Sequence, residues 1–113
     1  MKSESDKFHN MIGLARRAGR VVIGGDGVLS AVRSKKACLV ILARDASDGT
    51  VKRITAKCES FGVPIIKCGT KQSLGSITGR GEAASIAVTD INFADGLRRI
   101  SEEINGGVCN GKN

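Results

Sequence analysis

Aromatic residues and histidine are scarce in this chain, and each shortage excludes a type of function. Of 113 residues, three are phenylalanine, none is tyrosine or tryptophan, and only His9 is a histidine. Single-strand nucleic-acid binders stack bases on aromatic side chains, so that kind of surface is not expected here. With one histidine, a His-based catalytic or zinc site is also not expected, and we predict no metal and no cofactor.

The four cysteines form no C-x-x-C pair, which argues against a zinc site and against a disulfide scaffold. We expect Cys38, Cys58 and Cys68 to be packing residues, because they alternate with apolar positions. No apolar run approaches the roughly 20 residues that cross a bilayer. The first six residues mix both charges, unlike a secretion signal. These features predict a cytoplasmic protein with no membrane partner.

Basic residues are in excess, with 18 Lys and Arg against 11 Asp and Glu and a formal net charge of +7. Residues 10–80 hold 13 basic and 4 acidic residues, so the excess lies in the middle of the chain. Such a balance favours partners that carry negative charge, nucleic acid first, although lysines and arginines also simply solvate helix faces.

Helical and strand-like apolar patterns alternate along one domain, predicted over 1–105, with a disordered tail at 106–113. They predict an α/β protein, a three-layer α/β/α sandwich around a four-stranded mixed sheet. The run 39–43 is apolar throughout, and we place it at the sheet centre.

The apolar patterns and glycines also predict the bounds of each element. The predicted elements are a helix over 7–18, a strand over 21–23, a glycine turn over 24–27 with a short helix after it, a strand over 39–43, a helix capped by Asp48 and ended by Gly62, a strand over 63–68, a short helix from Thr70 or Ser73 to Gly79, a strand over 84–88, and a helix capped by Asp90 and reaching about Ile104.

The junction between residues 21 and 32 is the most suggestive local feature. Glycines after a strand and before a helix allow backbone N–H groups to face a phosphate. However, no P-loop motif is present, and Ser30 stands where the dinucleotide motif has its third glycine or alanine. The segment is therefore either a ligand-binding turn or only a tight turn, and the loop around Gly79 and Gly81 leaves the same two possibilities.

No pair of residues is arranged for acid–base or nucleophilic catalysis. His9 has no spacing that would pair it with a cysteine, and Asp45 has no partner carboxylate or lysine, so we interpret Asp45 as a turn-capping residue. We predict that the protein is not an enzyme.

Several short strings, in order and at consistent spacing, resemble the L7Ae superfamily of kink-turn RNA-binding ribosomal proteins, and most of all its bacterial YlxQ-like branch. The resemblance covers roughly residues 8–100. It is carried by GLARRAGR at 13–20, LVILARDAS at 39–47, Lys57-Cys58, Val63-Pro64, Leu74-Gly75 and AVTD at 87–90.

The resemblance implies the same α/β/α sandwich, no catalysis, and binding to a sharply bent RNA helix with tandem sheared G·A pairs. The family reads G-x-N-E-x-x-K at its RNA-facing turn, and the matching positions here are Gly24, Asp26, Gly27 and Ser30. A second loop that covers a flipped-out base in the family falls on 78–83. The candidate RNA-binding residues are Gly24, Gly25, Asp26, Gly27, Ser30, Arg33, Lys35, Lys36, Thr78, Gly79, Arg80, Gly81, Glu82 and Ala83.

Three function classes follow from the sequence. The first is a monomeric RNA-binding protein that associates with the ribosome and recognises structured RNA, with ribosomal RNA as the expected target and phosphate contacts outweighing base contacts. The second is a protein-docking module on the same scaffold. The third is a nucleotide-handling enzyme that uses the glycine junction and Asp45, for which no complete motif is present.

Overall fold

Two layers of helices enclose a four-stranded sheet in the computed structural model, which describes residues 4–104. The predicted alternation of helices and strands and the α/β/α sandwich are confirmed. The predicted tail at 106–113 lies outside the described residues. The elements in chain order are α1 (Glu4–Arg17), β1 (Val21–Ile23), α2 (Gly25–Arg33), β2 (Leu39–Leu42), α3 (Asp48–Phe61), β3 (Ile65–Lys67), α4 (Lys71–Ile77), β4 (Ser85–Val88) and α5 (Ile91–Ile104).

The sheet is mixed, as predicted, and its strand order is β1-β4-β2-β3. β4 runs antiparallel to both of its neighbours, whereas β2 and β3 are parallel. All four residues of β2 are buried. The apolar run at 39–43 is therefore a central strand, because only a strand covered on both faces needs apolar residues at every position.

Two hydrophobic clusters lie on the two faces of the sheet, since successive side chains of a strand point to opposite sides. Leu39 and Ile41 of β2 face α1, α4 and α5, where Phe8, Leu74 and Leu97 are fully buried. The alternate residues of β2, Val40 and Leu42, face the opposite side, where they pack against α2 and α3.

The helix ends agree with the predictions in part. Thr70 caps α4, with its side chain accepting a hydrogen bond from the Ser73 N–H at 3.0 Å, and Gly62 ends α3 at a φ of 70°. The Asp48 cap was wrong, because Ser47 is the N-cap of α3 and Asp48 is already helical. Phe61, the last residue of α3, is 40% exposed.

One edge of the sheet gathers the two candidate segments, 24–27 and 78–83. Because β4 is antiparallel to β1 and β2, its start lies beside their carboxyl ends. The Gly24 N–H donates to the Ser85 carbonyl at 3.2 Å, and the Ala43 N–H donates to the Ala84 carbonyl at 2.9 Å. We call this the carboxyl edge. The helices α2, α3 and α4 all begin here, so three helix N-termini and the loop that precedes β4 share one end of the sheet.

Candidate nucleic-acid interface

The glycine junction, the turn predicted over 24–27 between β1 and α2, is shorter in the structure. α2 already begins at Gly25, so only Gly24 lies outside the helix. Gly24 has a φ of 99°, a backbone conformation that favours glycine, and as the N-cap it offers no side-chain hydrogen bond. The first helical bond runs from the Val28 N–H to the Gly24 carbonyl at 2.9 Å. The N–H groups of Gly25, Asp26 and Gly27 therefore have no acceptor within the helix and stand at its positive end.

Gly27 is required by packing and not by its backbone angles. A Cβ atom at this position would lie 2.7 Å from Cγ1 of Val22, closer than real Cβ contacts. The absence of a side chain thus allows the first turn of α2 to approach β1. Position 27 cannot carry a glutamate side chain here unless Val22 or the helix moves.

Asp26, Ser30 and Arg33 are exposed and follow one another at i, i+4 and i+7, so they form one outer stripe of α2. The stripe leads away from the carboxyl edge. α2 has nine residues, which is about 13 Å at 1.5 Å per residue. It therefore ends near the opposite edge, where the Cys38 N–H donates to the Val88 carbonyl at 2.7 Å.

Arg33, Lys35 and Lys36 therefore do not lie beside the glycine junction. They are exposed at the far end of α2, and their contact with RNA remains a prediction. Within residues 4–104, Lys35 is the one residue other than glycine that has a positive φ, at 63°. This backbone conformation is disfavoured for residues that carry a Cβ atom.

The second candidate loop, 78–83, returns along α4 to the start of β4. The Arg80 N–H donates to the Gly75 carbonyl at 2.7 Å, and the Ala83 N–H donates to the Lys71 carbonyl at 2.9 Å. The contact with α4 requires glycine at Gly75, where a Cβ would lie 2.6 Å from Cα of Glu82. The loop is thus held by backbone contacts.

Only part of that loop reaches solvent. Gly79, Arg80, Gly81 and Glu82 are exposed. Thr78 and Ala83 are buried, at 2% and 3% exposure, so these two residues do not offer side chains to a ligand. The Thr78 hydroxyl donates to the Leu74 carbonyl at 2.8 Å, which secures the end of α4.

Two arginines outside the predicted set lie against these segments. The guanidinium of Arg16, in α1, lies against Gly79: one of its terminal nitrogens is 2.7 Å from where a Cβ of residue 79 would be. The guanidinium of Arg53, in α3, lies against Gly25, with a terminal nitrogen 3.5 Å from where a Cβ of residue 25 would be. Both arginines are exposed. Neither is near its glycine in sequence, and no local spacing could indicate these contacts.

Asp45, His9 and the cysteines make local structural contacts. Asp45 was interpreted as a turn-capping residue, and its carboxylate accepts a hydrogen bond at 2.8 Å from the N–H of Lys71, the first residue of α4. Nε2 of His9 lies 3.0 Å from the Ser73 hydroxyl oxygen. Cys58 is buried, and burial raises the pKa of its thiol to about 11. Cys38, Cys58 and Cys68 are free thiols.

Within residues 4–104 no group of three or more His, Cys, Asp or Glu side chains is arranged to hold a metal ion. None of the helices in this part of the chain is long and apolar enough to cross a membrane.

The fold and this edge define a small α/β/α domain whose candidate ligand surface is built from helix N-termini, glycine loops and arginines. The family model described as the ribosomal protein L7Ae/L30e/S12e/Gadd45 family matches residues 6–97. The chain belongs to this family, as the sequence resemblance predicted.

Individual relatives agree with that assignment. RNA-binding protein YlxQ of Bacillus subtilis is 41% identical over 87 residues, which are 77% of this chain and 87% of that protein. A Bacillus halodurans protein of unknown function has a similar structure, with a TM-score of 0.82 and 34% identity over 85% of this chain and 97% of that one. The Giardia lamblia 15.5kD RNA binding protein shares the fold, with a TM-score of 0.76 and 22% identity over 96% and 93% of the two chains.

Proposed function

We propose that this protein binds structured, kink-turn-like RNA at the carboxyl edge, with ribosomal RNA as the natural target, and acts as a ribosome-associated monomer in the cytoplasm. One observation carries the proposal: the first turn of α2 opens at this edge with uncapped N–H groups, in a chain segment of strong positive charge. Helix N-termini of this kind bind phosphate groups. A relative with 41% identity has the name RNA-binding protein YlxQ, which favours RNA as the polyanion.

The proposal involves two kinds of contact. The backbone N–H groups of Gly25 and Gly27, with Ser30 and Arg33 along α2, contact phosphates, and Gly24 allows the turn that opens them. The cations Lys35 and Lys36 extend that track to the far edge. The exposed part of the second loop, 79–82, approaches the same RNA where it leads into β4. Among residues 24–27, Asp26 alone has a side chain with hydrogen-bond acceptors, and in this proposal its carboxylate accepts from guanine N–H groups.

The test is binding of the pure protein to a labelled kink-turn RNA and to a matched plain duplex over a salt series. We expect tighter binding to the kink-turn RNA, with affinity for both falling as salt rises. Asp26→Ala removes the acceptors and is expected to reduce the preference for the kink-turn RNA about tenfold, the value of one good base contact. Loss of a negative charge leaves duplex binding unchanged or stronger.

Asp48→Ala is the matched control, because Asp48 is also an exposed aspartate in the first turn of a helix at the carboxyl edge. It is expected to leave the preference unchanged. Equal affinity of the wild-type protein for both RNAs would refute kink-turn recognition and leave binding through phosphates alone.

A second candidate function is docking on a protein partner. It is favoured by the exposed carboxylates of Asp26 and Glu82, which make both candidate segments mixed in charge. Absence of binding to either RNA at low salt would put this function first.

A further inference from the structure

Arg53 lies where a cation is electrostatically unfavourable unless an anion is also present. Its guanidinium approaches Gly25, the first residue of α2, from the neighbouring helix α3. The N-terminal end of a helix carries partial positive charge, and positively charged groups are disfavoured there. Among the described residues Arg53 forms no ion pair. Its guanidinium and the open N–H groups thus converge, and the carboxylate of Asp26 in the same helical turn forms no ion pair with it.

Ser85 gives a second and independent sign at the same place. It is the first residue of β4, it is 1% exposed, and its carbonyl accepts the Gly24 N–H. Its side chain shares a face of β4 with Ala87, which packs in the cluster under α2 and α3. The Ser85 hydroxyl has no hydrogen-bond partner among the described residues. Buried polar groups rarely lack a partner, and an oxygen-rich ligand at the α2 turn supplies acceptors.

We propose that Arg53 and the first turn of α2 together bind one phosphate group of the RNA. The N–H groups of Gly25, Asp26 and Gly27 donate to the phosphate oxygens, and the planar guanidinium of Arg53 donates from the side of α3. The identity of the ligand as RNA rests on the proposed function, whereas the anion site itself does not. Phosphate is therefore tested both free and within RNA.

The first experiment uses inorganic phosphate and the full, ¹⁵N-labelled chain. We expect saturable shifts of the N–H signals of residues 25–27 in the wild-type protein, and binding about tenfold weaker or absent in Arg53→Gln, which loses the charge-assisted hydrogen bonds. Lys52→Gln is the matched control, because Lys52 is the exposed neighbour in the same helix and is not among the contacts at Gly25. Arg53→Lys, which keeps the charge but not the fork, is expected to fall between wild type and Arg53→Gln. Equal shifts in Arg53→Gln and wild type would overturn the proposal.

The second experiment repeats the RNA salt series with the same variants. Arg53→Gln is expected to reduce the slope of log affinity against log salt by roughly 0.7–0.9, the value of one phosphate contact, and Lys52→Gln to leave it unchanged. If the wild-type protein binds RNA and the two variants behave alike, this proposal fails and the proposed function stands. If phosphate binds in an Arg53-dependent manner but RNA does not bind, the anion site stands and the proposed function fails.

Discussion

Gly27→Ala is expected to destabilise the protein although alanine favours helices, because Gly27 lies against β1. In an open helical position, replacing glycine with alanine adds about 1 kcal/mol of stability. At position 27 the new Cβ would lie 2.7 Å from Cγ1 of Val22, so the strand or α2 must move by several tenths of an ångström. Overpacking of this kind costs about 1–3 kcal/mol. The net expectation is a loss of about 0–2 kcal/mol.

Gly13→Ala is the control that isolates the clash. Gly13 lies within α1, and a Cβ there would meet nothing within 4 Å, so this variant is expected to gain about 1 kcal/mol. The free energy of unfolding of both variants is measured by urea denaturation. Their difference, about 1–3 kcal/mol, equals the cost of the clash. The double variant Val22→Ala/Gly27→Ala is expected to recover that cost as a coupling energy.

Equal stabilisation by the two single variants would refute the reasoning, because it would mean that α2 and β1 have room between them. The same variant reports on function. If Gly27→Ala remains folded, the displaced first turn of α2 presents its N–H groups in a different position, and RNA affinity is expected to fall more than in Gly13→Ala.

Two further predictions concern the far end of α2 and the core. Lys35 has a φ of 63°, which glycine adopts without strain, so Lys35→Gly is expected to be more stable than Lys36→Gly by about 1 kcal/mol in urea denaturation. Both variants are expected to weaken RNA binding. Equal stability of the two variants would contradict backbone strain at Lys35. The pKa of the Cys58 thiol is raised from 9.0 to about 11, so burial favours the neutral thiol in the folded state. That contribution to stability is complete below pH 9.0 and is lost as pH rises towards about 11. Cys58→Ala is expected to flatten this part of the stability curve, and alkylation at pH 8 followed by peptide mapping should label half-exposed Cys38 well before Cys58; early labelling of Cys58 would contradict its burial.

The sequence predicted those features that depend on residues close together in the chain. The central strand was predictable because an unbroken apolar run suits a strand that is covered on both faces. Gly62 and Thr70 were predictable because helix ends have local signals. The exposure of Phe61 was not predictable, because Phe61 shares a helical face with the buried residues Ile54 and Cys58 and local spacing does not show where a helix leaves its neighbours.

The candidate site was predicted from the resemblance as two segments of one RNA interface, 24–27 and 78–83, and the fold brings both to the start of β4. The sequence placed Arg33, Lys35 and Lys36 near the end of the short helix, but their distance from residues 24–27 depends on the length of α2 and on the sheet topology. The contact of Arg53 with Gly25 was equally out of reach, since it arises from the packing of α2 on α3 across 28 positions of sequence.

Arg53 and the three cations Arg33, Lys35 and Lys36 are expected to have different roles in one interface. Arg53 lies at the helix N-terminus, where charge and N–H groups converge on a point, and a contact of this kind fixes the position of one phosphate. The cations at the far end of α2 are exposed, with Lys35 and Lys36 beyond the helix. Under the proposed function they would add attraction that salt screens, without fixing geometry. Loss of Arg53 should therefore reduce discrimination between bent and straight RNA as well as affinity. Loss of Lys36 should reduce affinity for both RNAs alike, because a flexible surface lysine follows phosphates in either shape.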